Sequence, residues 1–324
     1  ILLGRQGHFP KLEGDKVTFI GSTFMKYGES SPYKNTCIAL GNCDNVNTEN
    51  TEPIIVCETE KDVLLEWTKL IQKEDPDIII GYNIFGFDYR FMFERAKENV
   101  CEEEFLKLSR NQDEICGKEK DGRWGIEETS IVIASGQHDL YYIKMEGRLQ
   151  VDLYNYFRRD YNLTSYKLDY VAGNFIGDKV KSITNDESSN KTTIATKNMT
   201  GLLVGSYVNF EEIGHSSEYY QEGKKFIVSE LHSDGFVIDG IAKPDMLTKK
   251  VKWGLAKDDV SPQDIFRMTN EGPASKSVIA KYCIQDCNLV HYLMNKIDVI
   301  TGFIEMAKIC SVPMNFLVMR GQGI

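Results

Sequence analysis

The sequence has no run approaching the ~18 consecutive apolar residues that a membrane-spanning helix needs. Its first residues, Ile1-Leu2-Leu3-Gly4-Arg5, lack the basic start and apolar core of a secretory signal, and no initiator Met precedes them, so the chain reads as a piece of something longer. Paired C-x-x-C spacings are absent. The nearest helical pair, Cys283 and Cys287, has no second cysteine pair and no His pair to complete a zinc set. The eight cysteines are therefore expected to be core thiols in a reducing, intracellular compartment. The five histidines, His8, His138, His215, His232 and His291, form no spaced set, which leaves a His-dependent nuclease or zinc site without support. A positive charge excess is also missing. With 38 Lys+Arg against 48 Asp+Glu the net charge is −10, which argues against wrapping long duplex DNA but leaves room for gripping a few nucleotides at an end. A site for two divalent cations itself requires carboxylates.

What is present is an ordinary globular composition, 42% hydrophobic and 27% charged, in 324 residues, enough for two domains or one large one. Residues 15–25 and 54–57 are β-branched and read as strands, with a short strand at Cys37–Leu40 between them. Thr59 offers a cap, and Val63, Leu64, Trp67, Leu70 and Ile71 form the apolar stripe of a helix that Asp75-Pro76 stops. Asp77–Gly81 is a short apolar run, expected to be a strand buried on both faces, and a helix comes next over about Tyr89–Asn99. This alternation says α/β. Residues 100–135 are mixed. Strands at Asp139–Met145 and Arg148–Asp152 flank a turn, and helices are expected at about Leu153–Arg159 and Ser165–Phe175. The polar tract Asn185–Lys197 reads as a loop, followed by β-like runs at Gly201–Phe210, Lys225–Leu231 and Phe236–Ile241. Helical patterns return at Ser261–Met268, Ala274–Ile297 and Gly302 to about Cys310.

Two segments carry chemistry. Gly81-Tyr82-Asn83-Ile84-Phe85-Gly86-Phe87-Asp88 lies at the carboxyl end of the apolar strand, where α/β sheets favour ligand sites. Asn83 offers hydrogen bonds, Phe87 a stacking face and Asp88 a hard oxygen ligand, although a plain turn with an N-cap Asp would use the same residues. Tyr282 and Asp286 stand at i,i+4 on one helix face, where a carboxylate could hold an ion and a phenol orient its water; alternatively they are a helix-surface pair. Asp152, between a strand and a helix, reads as an N-cap, with metal ligation as the alternative.

Taken together, in this order and separation, these segments resemble the 3′–5′ exonuclease domain of family-B DNA polymerases, of a delta-like kind, with a viral source as one alternative. Asp75 to Asn83 with Phe87-Asp88 is similar to that family's second acidic motif, and Ala280 to Asp286 to its third. Gly147–Leu153, Arg158–Tyr161 and Ser165–Leu168 are similar to the segment between them, Gly4–Pro10 to the stretch just after the first motif, and Val312–Ile324 to the junction with the polymerase palm. Two departures stand out. By spacing from Gly7, the Glu of the first motif would fall at about Ile1 and its Asp before the chain begins, and Lys167-Leu168-Asp169-Tyr170-Val171 has Lys where the single-strand-contact motif carries a hydroxyl.

The resemblance implies an RNase H-like mixed sheet of five to six strands flanked by helices, and the β-like runs over 177–245, which the resemblance does not cover, read as a small all-β insertion. The implied domains are residues 1–176 and 246–310 as the two parts of an exonuclease core, 177–245 as the insertion, and 311–324 as the start of the palm module. It implies two Mg²⁺ or Mn²⁺ ions held by Asp88, Asp286 and the first-motif acids, with Tyr282 orienting the attacking water and Lys257 approaching the scissile phosphate. Lys257 also reads as a solvated residue beside the basic run Lys249, Lys250 and Lys252. Asn83, Phe87, Lys167 and Leu168 would contact DNA. The implied partners are the single-stranded 3′ end of a primer, the rest of the polymerase chain and, through that parent, a sliding clamp, with no membrane, in a nucleus or in a viral cytoplasmic setting. A catalytically incomplete single-strand-binding or structural domain is the alternative.

Overall fold

The computed structural model describes residues 2–3, 10–133, 136–256 and 262–319. The chain divides into two compact units: Ile1–Leu163 with Val260–His291 and Val299–Ile324, and Thr164–Asp259 with Tyr292–Asp298.

In the first unit, β1 (Leu2–Leu3) pairs with β2 (Lys16–Val17), and β3 (Phe19–Phe24), β4 (Lys34–Leu40) and β5 (Ile55–Cys57) form a mixed ladder, antiparallel then parallel. Helix α1 (Glu60–Glu74) begins where Thr59 Oγ1 accepts the Asp62 N–H and ends on Asp75 in the left-handed region, and its expected apolar stripe is buried. Strand β6 (Ile78–Gly81) then leads through a π-helical turn, Ile84–Asp88, into α2 (Tyr89–Glu98). After α3 (Glu102–Phe105) come two antiparallel hairpins, β7 (Lys118–Lys120) with β8 (Arg123–Gly125) and β9 (Glu127–Ile133) with β10 (Gly136–Tyr142). β11 (Leu149–Asp152) and α4 (Leu153–Asp160) come next.

Three expectations change here. β10 pairs with β9, from the stretch that reads as mixed, while β11 runs parallel to β6. Gln150, Val151 and Asp152 are all interior, and β6 pairs with β11 over the whole of both strands. β6 is half-buried rather than covered on both faces. Among the described residues the strands also form separate ladders, not one continuous sheet of five or six.

The second unit holds α5 (Leu168–Phe175) and β12 (Gly177–Asp186), β13 (Lys191–Thr196), β14 (Tyr207–Ile213), β15 (Ser217–Tyr219), β16 (Phe226–His232), β17 (Gly235–Asp239) and β18 (Lys250–Ala256). The order is β15-β14-β16-β17-β13-β12-β18, and β14 also pairs with β18, so the strands from β14 to β18 close into a ring. Trp253, Phe210, Phe236 and Val208 fill it, and Trp253 Nε1 donates to Thr196 Oγ1 at 3.1 Å. The tract expected as a loop at 185–197 is mostly hairpin, because Thr192, Ile194 and Thr196 alternate inward on β13.

The first unit is completed by α6 (Pro262–Glu271), most of α7 (Pro273–Lys296), α8 (Val299–Cys310) and α9 (Met314–Met319). Ile279, Ala280, Cys283 and Ile284 of α7 pack on Phe19 of β3 and on Cys37 and Ala39 of β4. The approach is close because β3 presents Gly21 there. A Cβ on Gly21 would lie 2.8 Å from Cys283 Sγ and 3.2 Å from the Cys283 carbonyl oxygen.

A buried ion pair ties β2, α1 and α2 together. Glu60 Oε1 accepts the Val17 N–H at 2.8 Å and Arg95 Nε at 2.9 Å, while Oε2 accepts Arg95 Nη2 at 2.7 Å and Asn99 Nδ2 at 3.0 Å. Burial alone would raise the Glu60 pKa, but the hydrogen bonds from Arg95, Asn99 and Val17 outweigh it and hold the carboxyl below the usual glutamate value. The resulting stability is present above the unfolded-state pKa and lost as pH falls through the folded one.

Glu60→Ala leaves the Arg95 guanidinium without its bidentate partner, and urea unfolding at neutral pH is expected to show a loss of about 3–5 kcal/mol. Gly21→Ala must push α7 off the sheet or distort β3, at about 1–3 kcal/mol. Combining it with Cys283→Ala is expected to relieve only part of the Gly21→Ala cost, because the backbone carbonyl contact remains, and a double-mutant cycle on denaturation midpoints measures this.

Candidate active site

The segment after β6 is built around one left-handed residue. Asn83 has φ 63° and ψ 24°, which asparagine tolerates better than most residues, and it turns the chain into the π-helical turn. Its side chain folds back over Gly86: a Cβ at that position would come within 2.2 Å of Asn83 Oδ1, so only glycine leaves Asn83 this room. Phe87 is half-buried and tilted against Phe91 at 5.5 Å between ring centroids. Asp88 closes the turn and opens α2.

The parallel register of β6 and β11 sets Asp152 opposite Gly81. From there its carboxylate, 3% exposed, reaches both ways. It caps α4 by accepting the Tyr154 N–H at 3.0 Å, as the N-cap reading requires. It also accepts the Asn83 N–H at 2.7 Å and the Phe85 N–H at 3.0 Å, with Asn155 Nδ2 at 3.3 Å. Each oxygen thus takes two donors, which leaves no free lone pair for a metal and does not fit the ligation alternative.

Desolvation pushes the Asp88 carboxyl up to about 6. Burial pushes Asp152 up to about 7, opposed by its three backbone N–H donors and reinforced by the Asp88 charge. Among the described residues no Lys or Arg forms an ion pair with Asp88. The two carboxylates therefore share one low-dielectric region, and an electrostatic interaction also links Asp88 to Cys283 on α7. Tyr282, next to Cys283, and Asp286, one turn on, are both half-buried. Hydrogen bonding to Cys283, then burial, pushes the thiols of Cys37 and Cys287 up, so they act as neutral core groups.

Asn83, Phe87 and Asp88 stand together on the turn that opens α2, while Tyr282 and Asp286 stand one turn apart on α7. Lys167 and Leu168 belong to the second unit, where exposed Lys167 precedes α5 and half-buried Leu168 begins it. Lys257 lies outside the described residues. No group of three His, Cys, Asp or Glu among the described residues is placed to hold a metal ion. A desolvated carboxylate with no Lys or Arg partner among the described residues is a hard oxygen donor of the kind a divalent cation takes, and Asp88 is one. Sequence reasoning missed the reach of Asp152 to the turn and the roles of Gly86 and Gly21. The signal for Asp152 was the Gln-Val-Asp run of β11, whose partner strand lies about seventy residues upstream.

Residues 2–171, just over half of the chain, match the family described as DNA polymerase family B, exonuclease domain. Over 98% of its length the chain is 47% identical to a DNA polymerase of Phaeocystis pouchetii virus, covering 31% of that protein. It is 40% identical over 97% of its length to a DNA polymerase of Pyramimonas orientalis virus, covering 24% of it. A DNA polymerase delta catalytic subunit of Oryza sativa subsp. japonica is 27% identical over 99% of the chain, which spans 21% of that protein. The chain therefore spans under a third of these curated relatives, and it belongs to the exonuclease domain family of the family-B DNA polymerases.

Proposed function

We propose that this chain is the proofreading part of a family-B DNA polymerase and hydrolyses the 3′-terminal phosphodiester of a primer strand in the 3′–5′ direction. The observation that carries the reading is Asp88, a desolvated carboxylate on the turn that follows a parallel strand, with no ion-pair partner among the described residues. Asp88 and Asp286, with first-motif acids, would hold two Mg²⁺ or Mn²⁺ ions, which supply an activated water and stabilise the leaving 3′-oxygen when bound. Tyr282 would orient the water, Lys257 would offset charge on the scissile phosphate, and Asn83 and Phe87 would hold the frayed end, with Lys167 and Leu168 on the strand. On this reading the first unit is RNase H-like, the β-rich segment is an insertion within it, and the partners are single-stranded DNA and the remaining polymerase chain.

A second reading rests on Ile1, which stands about where the first-motif Glu is expected: a catalytically incomplete domain that grips a single strand or braces the polymerase. Release of nucleotides from a labelled single strand separates the two. The 324-residue chain alone, in Mn²⁺, is expected to be weak or inactive. In the full-length protein Asp88→Ala should abolish 3′ trimming and leave primer extension; normal trimming by that variant overturns the nuclease reading. The raised pKa of Asp88 also predicts a pH limb. Below about 6 the carboxyl is protonated and cannot ligate, so trimming falls as pH drops through this region. Raising the Mg²⁺ concentration should move that limb to lower pH, because metal and proton compete for one carboxylate.

A further inference from the structure

One carboxylate begins two helical segments here. The N–H groups at the start of a helix have no partners within it, and Asn83 and Phe85 stand at the entry to the turn that becomes α2. Asp152 Oδ1 accepts one donor from that turn, the Asn83 N–H at 2.7 Å, and one from α4, the Tyr154 N–H at 3.0 Å. Oδ2 repeats the division, with the Phe85 N–H at 3.0 Å and Asn155 Nδ2 at 3.3 Å. Capping α4 needs only the Tyr154 contact, which a serine at this position supplies equally well. The turn contacts need a carboxylate's length and its second oxygen.

We propose that Asp152 is a positioning residue for the nuclease site: its carboxylate fixes the left-handed Asn83 and the π-helical turn, and so sets where Asn83 and Asp88 meet the 3′ end and its metal. It acts through that turn and is not itself a ligand, since its lone pairs are filled. The proposal rests on the nuclease reading above. Its structural half, that Asp152 holds the turn, stands independently of activity. Bidentate N–H capture by one buried anion explains why a turn with a left-handed residue and a π-helical step keeps a single shape. It also explains why the register of β6 against β11 matters: a slip of one residue would point Asp152 to the opposite side of the strand and away from the turn.

The test compares Asp152→Ser, which keeps the α4 cap but cannot reach the turn, with Asp152→Asn, which is near-isosteric but presents donors where one oxygen stood. Both are made in the full-length protein, with Asp88→Ala as control. Hydrogen-exchange mass spectrometry is expected to show at least tenfold faster exchange in peptides covering residues 82–88 of Asp152→Ser, with α4 and the melting temperature little changed. Trimming of a single strand should need about 10–100-fold more Mg²⁺ for half-maximal rate, the usual effect of losing a residue that orients a metal ligand, while primer extension is unchanged. Asp152→Asn should fall between Asp152→Ser and the parent. Unchanged exchange in residues 82–88 overturns the proposal, as does faster exchange with unaltered metal dependence. Unfolding of both variants also overturns it, by making Asp152 a core residue alone. Full trimming by Asp88→Ala instead sinks the nuclease reading and leaves the exchange result to stand or fall separately.

Discussion

The parallel pairing of β6 with β11 is the constraint on which the candidate site depends, and it is fastened at both ends. At the start of β6, the buried Arg148 guanidinium donates to Asp75 Oδ1 at 2.8 Å, to the Pro76 carbonyl at 2.7 Å and to the Leu108 carbonyl at 2.9 Å. Arg110 adds a second grip on Asp75 at 2.9 Å. At the far end, Asp152 holds the amides that come after Gly81. A two-stranded parallel ladder is weakly specified by its own hydrogen bonds. Charged groups at its ends choose the register that its side-chain alternation alone would leave loose, and that register decides where Asn83 and Asp88 sit.

The second element of the candidate site is placed by a different kind of fit. Helix α7 comes from the far end of the chain and lies against β3 and β4 through small side chains: Ala280 and Cys283 on the helix, Gly21, Cys37 and Ala39 on the strands. Small residues on both surfaces bring the helix backbone within van der Waals reach of the strand. Tyr282 and Asp286 ride on that close approach. The Cys37 thiol, pushed up by hydrogen bonding to Cys283 and by burial, is a neutral packing group in this layer.

Much of this was legible in the sequence because it is local. Thr59, the Val63–Ile71 stripe and Asp75-Pro76 specify α1 within one window, and α1 appears where they place it. The motif residues Asn83, Phe87 and Asp88 sit in the expected turn between a strand and a helix. What was not legible is non-local. β11 has a partner that no short-range pattern names, and a turn between two apparent strands, at Glu146-Gly147, suggests a hairpin that does not form. The 185–197 tract hides two strands because its inward residues are two threonines and one isoleucine, too polar to signal a core strand. Gly21 and Gly86 matter only through atoms that approach them in space.

Three buried or half-buried carboxylates show how the fold separates structure from chemistry. Glu60 is desolvated, yet a bidentate Arg95 brings its pKa below the ordinary value. Asp152 is desolvated and surrounded by N–H dipoles with no opposing full charge, and it rises to about 7. Asp88 has neither compensation among the described residues: no pairing cation and no set of side-chain donors, and it rises to about 6. Folding tolerates the first because it is paired and the second because it is fully hydrogen-bonded. The third carries a desolvation cost that a backbone hydrogen bond offsets only in part, with no pairing Lys or Arg among the described residues. Of the two acids with no Lys or Arg partner, Asp152 has its oxygens filled by N–H donors, which leaves Asp88 as the one that a divalent cation would complete, and this is why the proposed chemistry is placed there.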